Sequence, residues 1–266
     1  MAFETIAIAG VGLIGGSFGL ALRQAGFPGR ILGVSSPSTI LKATARGAID
    51  AGVSLDEACS QADLLLLAQP VSVILEVLPR LQTKAWVTDA GSTKSLICAA
   101  GHAALGDRFF GSHPMAGSEA RSIDAASASL FQGRPWICTS PPPPDFAYWI
   151  TQIGAHLLIL TPEEHDHLVA LSSHLPQLLS TTLAATLAST DAARTAGPGL
   201  TDMTRLALSS YDLWRDILST NPAAIRAALA SFRRELDSLD AALADPTQLE
   251  ALFASASRFA RNLRRS

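Results

Sequence analysis

Several short stretches of this 266-residue chain place polar side chains where a plain hydrophobic core has no use for them. In GSHPMAGSE, residues 111–119, His113 stands between glycines and ahead of a proline, with Ser118 and Glu119 close behind. A neutral imidazole near its ordinary pKa can accept a proton at physiological pH, so His113 is a candidate general base; the plain alternative is a hydrogen-bonded turn residue. VTDAGSTK, residues 87–94, carries Asp89, Ser92 and Lys94. SSHLPQ, residues 172–177, sets Ser173 and Gln177 on one helix face by i, i+4 spacing, with His174 between them. GLTDMTRLALSSYDLWRDI, residues 199–217, supplies Asp202 and Arg205 after a glycine-marked break. The planar fork of Arg205 suits a bidentate grip on a carboxylate, with Glu119 or Asp202 as the internal alternatives. His165 and His167 read as solvated residues in the first turn of a helix, and Trp214 as core.

A further stretch, AIAGVGLIGGSFGLAL at 7–22, fits G-x-G-x-x-G at Gly10, Gly12 and Gly15. Gly10 permits a tight turn, Gly12 lets backbone approach a pyrophosphate, and Gly15 allows close helix-on-strand packing; the helix N-terminus favours negative charge. Leu13, Ile14 and Gln69 join the glycines as candidate cofactor-binding residues. An acidic residue about 20 positions past the third glycine would hold the adenosine ribose of NAD. This chain has Ser35 and Ser36 there, whose hydroxyls can donate to a 2′-phosphate, so NADP is favoured over NAD. The alternative is that the serines only cap the turn and the next helix, which leaves both cofactors acceptable.

These residues need a frame to hold them. Over the first 160 positions, short β-rich runs (TIAIAG, RILGVS, DLLLLAQP, AWVTDAG, RFFGSH, RPWICTS, HLLILT) alternate with helical stretches, which predicts an α/β domain with a parallel sheet covered on both faces. The polar stretches that follow AWVTDAG and RFFGSH fall at the carboxyl edge, where ligands bind in such sheets. PPPP at 141–144 reads as a stiff connector between a strand and a helix. From Thr161 onward the sequence reads as helix, opening with an N-cap threonine, a proline at the first position and glutamates in the first turn. The predicted division is 1–160 and 161–266. The second unit carries more apolar face than it can bury alone, which predicts a homodimer, with a compact monomeric bundle as the alternative.

Composition removes other classes. A net charge of -3, from 23 acidic and 20 basic residues, with scattered basic side chains, speaks against nucleic-acid binding. No apolar run reaches membrane-spanning length, and the apolar start carries Glu4 and several glycines, unlike a signal peptide. Three cysteines without C-x-x-C spacing indicate neither a disulfide framework nor a metal site. A cytoplasmic protein without metal and with a small-molecule substrate is expected.

Taken in order, the glycine turn, Ser92, the HPMAG-type motif of His113, SHLP at 173–176 and D-x-T-R at 202–205 resemble the prephenate and arogenate dehydrogenase family of tyrosine biosynthesis, over Gly10 to about Asn221. The resemblance implies a Rossmann domain followed by an all-helical dimerisation domain. It implies oxidative decarboxylation of a cyclohexadienol, with hydride passing to NAD(P) and carbon dioxide leaving. His113 would accept the proton of the ring hydroxyl, Ser92 would bond the same hydroxyl and help orient His113, and Arg205 would hold a substrate carboxylate. Ser173, Gln177, Ser118 and Glu119 would line the substrate site, and Asp202 would reach the neighbouring subunit's site. His174 is divided between a site role and a structural one. Many relatives have a histidine where this chain has Gln177, which keeps a donor toward the substrate side chain and favours prephenate over arogenate. The chain ends after the helices, so neither an appended regulatory domain nor a fused chorismate mutase is expected. A β-hydroxyacid dehydrogenase would rely on a lysine in the helical unit, and none occurs after residue 160. A non-catalytic dinucleotide-sensing dimer is the remaining alternative.

Overall fold

The computed structural model describes residues 3–117 and 122–264. The chain runs β1 (Thr5–Ala9), α1 (Leu13–Gln24), β2 (Arg30–Val34), α2 (Pro37–Ala45), β3 (Ala51–Gly52), α3 (Leu55–Gln61), β4 (Leu64–Leu67), α4 (Val71–Val77), β5 (Trp86–Asp89), α5 (Ser95–Leu105) and β6 (Phe109–Phe110). These six strands form one parallel sheet in the order β3-β2-β1-β4-β5-β6. That order reverses between β1 and β4, the crevice in which doubly wound sheets bind nucleotides.

Apolar runs without polar alternation suit strands buried on both faces. In β1, Ile6 and Ile8 enter a core with Phe18, Leu22, Phe131, Trp136 and Phe146, whereas Ala7 and Ala9 face a second core with Val71, Ile74, Val87 and Ile97. Leu64 and Leu66 of β4 take the first side and Leu65 and Leu67 the second.

After β6 the chain departs from a single parallel sheet. RFFGSH splits at Gly111 into β6 and β7 (Ser112–Pro114), and β7 pairs antiparallel with β8 (Pro135–Cys138). After α6 (Pro144–Gln152), β9 (His156–Ile159) adds parallel to β8. Thus RPWICTS and HLLILT belong to a separate three-stranded sheet. A parallel continuation needs a helical crossover, and the described part of the link between β7 and β8 holds only a short turn at Ile123–Ala125. Gly111, at the split, has no room for a side chain, since a Cβ there would lie 2.5 Å from Cys98 Sγ. The proline connector ends with Pro144 in the first turn of α6, as expected.

The helical half comprises α7 (Pro162–Val169), a π-turn at Ala170–His174, α8 (Leu175–Leu187), α9 (Pro198–Thr204), α10 (Tyr211–Thr220), α11 (Pro222–Ala242) and α12 (Pro246–Leu263). Thr161 caps α7 with a reciprocal bond from Glu164, and Pro162 occupies its first turn. Pro176, early in α8, withholds an N–H from the helix ladder, consistent with the widened turn before it. The buried apolar cluster of this half is small, built on Ala170, Ile225 and Ala228. Leu236, Leu243, Phe253, Phe259 and Leu263 of α11, α12 and their junction stay exposed. Among the described residues no helix is long and apolar enough to cross a membrane.

Candidate active site

The glycine turn is built for a close approach. Gly10 has φ +97°, and a Cβ there would fall 2.6 Å from the Ala68 carbonyl oxygen. A Cβ on Gly15 would fall 2.2 Å from the Gly10 carbonyl oxygen, so helix and strand touch without a side chain between them. Gly12 precedes α1 without a side-chain cap, and the first turn, opened by Leu13 and Ile14, has no acidic residue. Its free N–H groups and dipole are therefore left for an anion. Gln69, after β4, packs beside Gly10 and leaves its Oε1 buried with no partner among the described residues. A buried orphan amide beside a glycine cradle fits a dinucleotide, whose polar edge would satisfy it.

Ser35 and Ser36 lie exposed at the end of β2. Ser36 accepts from Thr39 N at 3.3 Å and so caps α2. The cations of α2 are engaged elsewhere: Lys42 pairs with Asp124 at 2.7 Å, and Arg46 donates to the carbonyls of Asp124 and Ala126.

The loop after β5 is riveted by buried groups. Lys94 forms a fully buried ion pair with Asp89 and donates to the Ser112 carbonyl at 2.7 Å. Asp89 also accepts from Gly91 N at 2.8 Å and Ser112 N at 3.1 Å. These two charges, read from sequence as part of the polar constellation, fasten β5 to β7. Ser92, half-buried, is carried on that loop.

His113 lies in the middle of β7, opposite Ile137, and is half-buried. Its Nδ1 is 2.8 Å from Nε2 of His165, so its ring bond goes to His165 and not to Ser92. His165 is fully buried rather than solvated, which corrects the sequence reading; His167 is exposed as expected. His165 Nδ1 lies 2.9 Å from Asp166 Oδ1. Asp166 accepts in turn from Lys94 N at 2.7 Å, Ser95 N at 2.9 Å and Ser95 Oγ at 2.6 Å. The signal for His165 was its i, i+4 spacing to Val169, which placed it on the buried face of α7.

Burial, then the neighbouring His165, Lys94 and His174, hold His113 well below the ordinary imidazole pKa. His165 is also lowered, chiefly by burial, against the opposing pull of Asp166. Burial pushes Asp166 up, but the hydrogen bonds from His165, Ser95 and Lys94 together bring it below the ordinary carboxylate range. At neutral pH the site therefore holds neutral imidazoles over an ionised carboxylate.

His174 is buried and lowered to about 4, chiefly by burial. Its ring meets Trp214 edge-on at 5.9 Å. Among the described residues neither His174 Nδ1 nor Trp214 Nε1 has a partner, so neither is a core group satisfied by them. Gln177 is buried and its amide donates to the Leu206 carbonyl at 2.8 Å and to Thr181 Oγ1 at 3.1 Å. One N–H thus pins the turn 205–208 to α8, and the other is spent within α8 on Thr181. This corrects the expectation that Gln177 keeps a donor toward the substrate: what it has left is a carbonyl oxygen. Ser173 is half-buried in the π-turn. Arg205 and Asp202 are exposed and make no ion pair among the described residues. Ser118 and Glu119 lie outside the described residues.

The halves are joined beside this cluster. Asp216 accepts from Ser72 N in the first turn of α4 at 2.9 Å, and Thr93 and Thr220 share a hydroxyl bond at 2.8 Å; within the helical half, Asn221 Nδ2 donates to the Asp166 carbonyl at 2.8 Å.

Residues 18–153 match the family model of the prephenate dehydrogenase nucleotide-binding domain, and residues 161–256 that of the prephenate dehydrogenase dimerization domain. The chain belongs to the prephenate dehydrogenase family. It is 32% identical over 251 residues to prephenate dehydrogenase of Lactococcus lactis subsp. cremoris, covering 89% of this chain and 70% of that protein. It is also 32% identical over 263 residues to cyclohexadienyl dehydrogenase of Zymomonas mobilis, covering 91% of this chain and 89% of that one. Among solved structures, prephenate dehydrogenase from Aquifex aeolicus in complex with hydroxyphenyl propionate and NAD+ superposes with a TM-score of 0.87 at 28% identity, over 100% of this chain and 99% of that one. Prephenate dehydrogenases are NAD(P)-dependent oxidoreductases of tyrosine biosynthesis.

Proposed function

We propose that the protein oxidatively decarboxylates prephenate to 4-hydroxyphenylpyruvate, with His113 as the general base. The observation that carries this reading is a neutral imidazole on β7, the strand that follows the first sheet, in a chain whose glycine turn after β1 admits close backbone approach. When bound, the nicotinamide supplies the hydride acceptor. His113 takes the ring-hydroxyl proton as hydride leaves the same carbon. Loss of carbon dioxide then leaves its electron pair to the ring, which becomes aromatic, and His113 returns the proton to the phenolate oxygen. The proton is borrowed, so a base with a depressed pKa gives it back readily. Ser92 bonds the same hydroxyl, and Arg205, which makes no ion pair among the described residues, grips a substrate carboxylate. Ser173, Ser118 and Glu119 complete the substrate wall, and Gly10, Gly12, Leu13, Ile14, Gly15 and Gln69 hold the dinucleotide.

Ser35 and Ser36, with no carboxylate at the end of β2, favour NADP over NAD. The chain divides into a nucleotide domain at 1–160 and a substrate and dimerisation domain at 161–266. It works in the cytoplasm as a homodimer formed through the exposed apolar faces of α11 and α12, and Asp202 reaches the neighbouring site. One observation favours a second reading: the free group of Gln177 is an acceptor, which suits the ammonium of arogenate rather than the keto group of prephenate.

The test is absorbance at 340 nm with prephenate or arogenate, each with NAD and NADP. Turnover with prephenate and NADP, lost by orders of magnitude in His113→Asn with dinucleotide binding kept, is the expected result. Faster turnover with arogenate would select the second reading, and full activity of His113→Asn would overturn the role of His113.

A further inference from the structure

The buried file of Asp166, His165 and His113 has a definite hydrogen polarity, which can be read from its anchored end. Asp166 receives Lys94 N, Ser95 N and Ser95 Oγ within 2.9 Å, the donors at the start of α5. A carboxylate so held is ionised and has no proton to give. His165 Nδ1, 2.9 Å from it, must therefore donate. His165 is buried and neutral, so its Nε2 carries a lone pair and accepts. The 2.8 Å bond to His113 then requires the proton on His113 Nδ1, which leaves Nε2 of His113 bare. Among the described residues Nε2 has no partner.

We propose that Asp166 and His165 are positioning residues that lock His113 in the Nδ1–H tautomer and so present its Nε2 as the proton acceptor. The inference rests on His113 being the base. It adds two groups that touch neither substrate nor cofactor, and both belong to α7, a helix of the other half of the chain. A histidine's second nitrogen generally sets which tautomer is present, and here that nitrogen is held by a fixed acceptor rather than by water. Asp166→Asn would reverse the file: its amide oxygen would stay with Ser95 N and Oγ in the place of Oδ2, and its NH2, in the place of Oδ1, would face His165 Nδ1 at the cost of the bond from Lys94 N. His165 would then donate from Nε2, and His113 would carry its proton on the nitrogen meant to accept one. In a serine protease the same Asp-to-Asn exchange behind a catalytic histidine keeps the geometry and costs roughly 10⁴-fold in kcat.

The experiment combines kinetics of Asp166→Asn with ¹⁵N NMR of histidine-labelled protein, with His113→Asn used to assign the His113 ring. The wild-type protein is expected to show His113 protonated at Nδ1 and bare at Nε2. Asp166→Asn should show the reverse, with kcat down about 10²- to 10⁴-fold and KM within about threefold. A wild-type ring protonated at Nε2 overturns the proposal, and this readout does not depend on any variant of Asp166 folding. A folded Asp166→Asn protein with wild-type kcat overturns it too, as does one with low kcat and an unchanged His113 tautomer, which would mark Asp166 as structural only. An active His113→Asn protein would strike the assignment of the base itself. A dead His113→Asn beside a fully active Asp166→Asn would strike this inference alone.

Discussion

His174 should make the protein acid-sensitive by an amount that can be isolated. The side chain is 2% exposed, its Nδ1 has no partner, and its pKa falls from 6.5 to about 4. An unfolded chain would bind a proton at this residue with a pKa of about 6.5, and the folded chain does not until the pH nears 4. Below the unfolded value the unfolded state therefore holds more protons, and stability is lost as pH falls, by up to about 1.4 kcal/mol per unit. The loss ends near the folded value. Between pH 7 and pH 5 the difference integrates to about 1.8 kcal/mol from this one group. His174→Phe removes the titration while keeping an aromatic ring against Trp214. Urea unfolding of the ligand-free protein at pH 7 and pH 5, followed by tryptophan fluorescence, gives the two stabilities for each form. His113 and His165 remain in both, so the variant should lose about 1.8 kcal/mol less than the wild type over this interval. Equal losses in the two proteins would refute the reasoning, because they would mean that His174 is protonated in the fold as easily as outside it.

Gly15→Ala should lower dinucleotide affinity at least about tenfold in a fluorescence titration, because its Cβ would lie 2.2 Å from a backbone oxygen that cannot turn aside. Affinity equal to the wild type would show that the turn is not the cofactor cradle. Phe253→Asp with Phe259→Asp, both at side chains 70% exposed, should convert a two-chain species to one chain in sedimentation equilibrium; a wild-type protein already running as one chain would refute the dimer face.

The nucleotide half was legible because its signals are local and redundant. G-x-G-x-x-G follows TIAIA directly, and runs such as LLLL in β4 leave little choice but a strand buried on both faces. What was hidden depended on contacts distant in sequence. β3, at Ala51–Gly52, is a two-residue strand with no β-forming run, defined only by its pairing with Leu32 and Gly33. β7 looked like the tail of β6, and what turns it away is the grip of Asp89 and Lys94 on Ser112. Those two residues, singled out for chemistry because charge is rarely placed at the end of a strand without a use, serve the backbone instead. His165 was concealed by its neighbours: Glu163, Glu164, Asp166 and His167 make the first turn of α7 look solvated. Only the apolar register through Val169 and Ala170 said otherwise, and one turn of helix is a short ruler.

The same residues show why the base belongs to neither half of the chain alone. His113 stands on β7, after the first sheet, but the acceptor that orients it comes from α7. Asp166, which orients that acceptor, is fixed by the start of α5 through Lys94 and Ser95 and by Asn221 at the foot of α11. The bond between His113 and His165 and those from Lys94 and Ser95 to Asp166 cross the joint between the halves. A relative slide of the halves by an ångström would break hydrogen bonds at 2.6 to 2.9 Å and free His113 to take either tautomer. Asp216 on Ser72 and the Thr93–Thr220 bond oppose that slide on the same face. The joint is thus stiffest beside the base, whereas Arg205 and Asp202 sit exposed on short helical turns, free to adjust to a substrate that arrives and leaves.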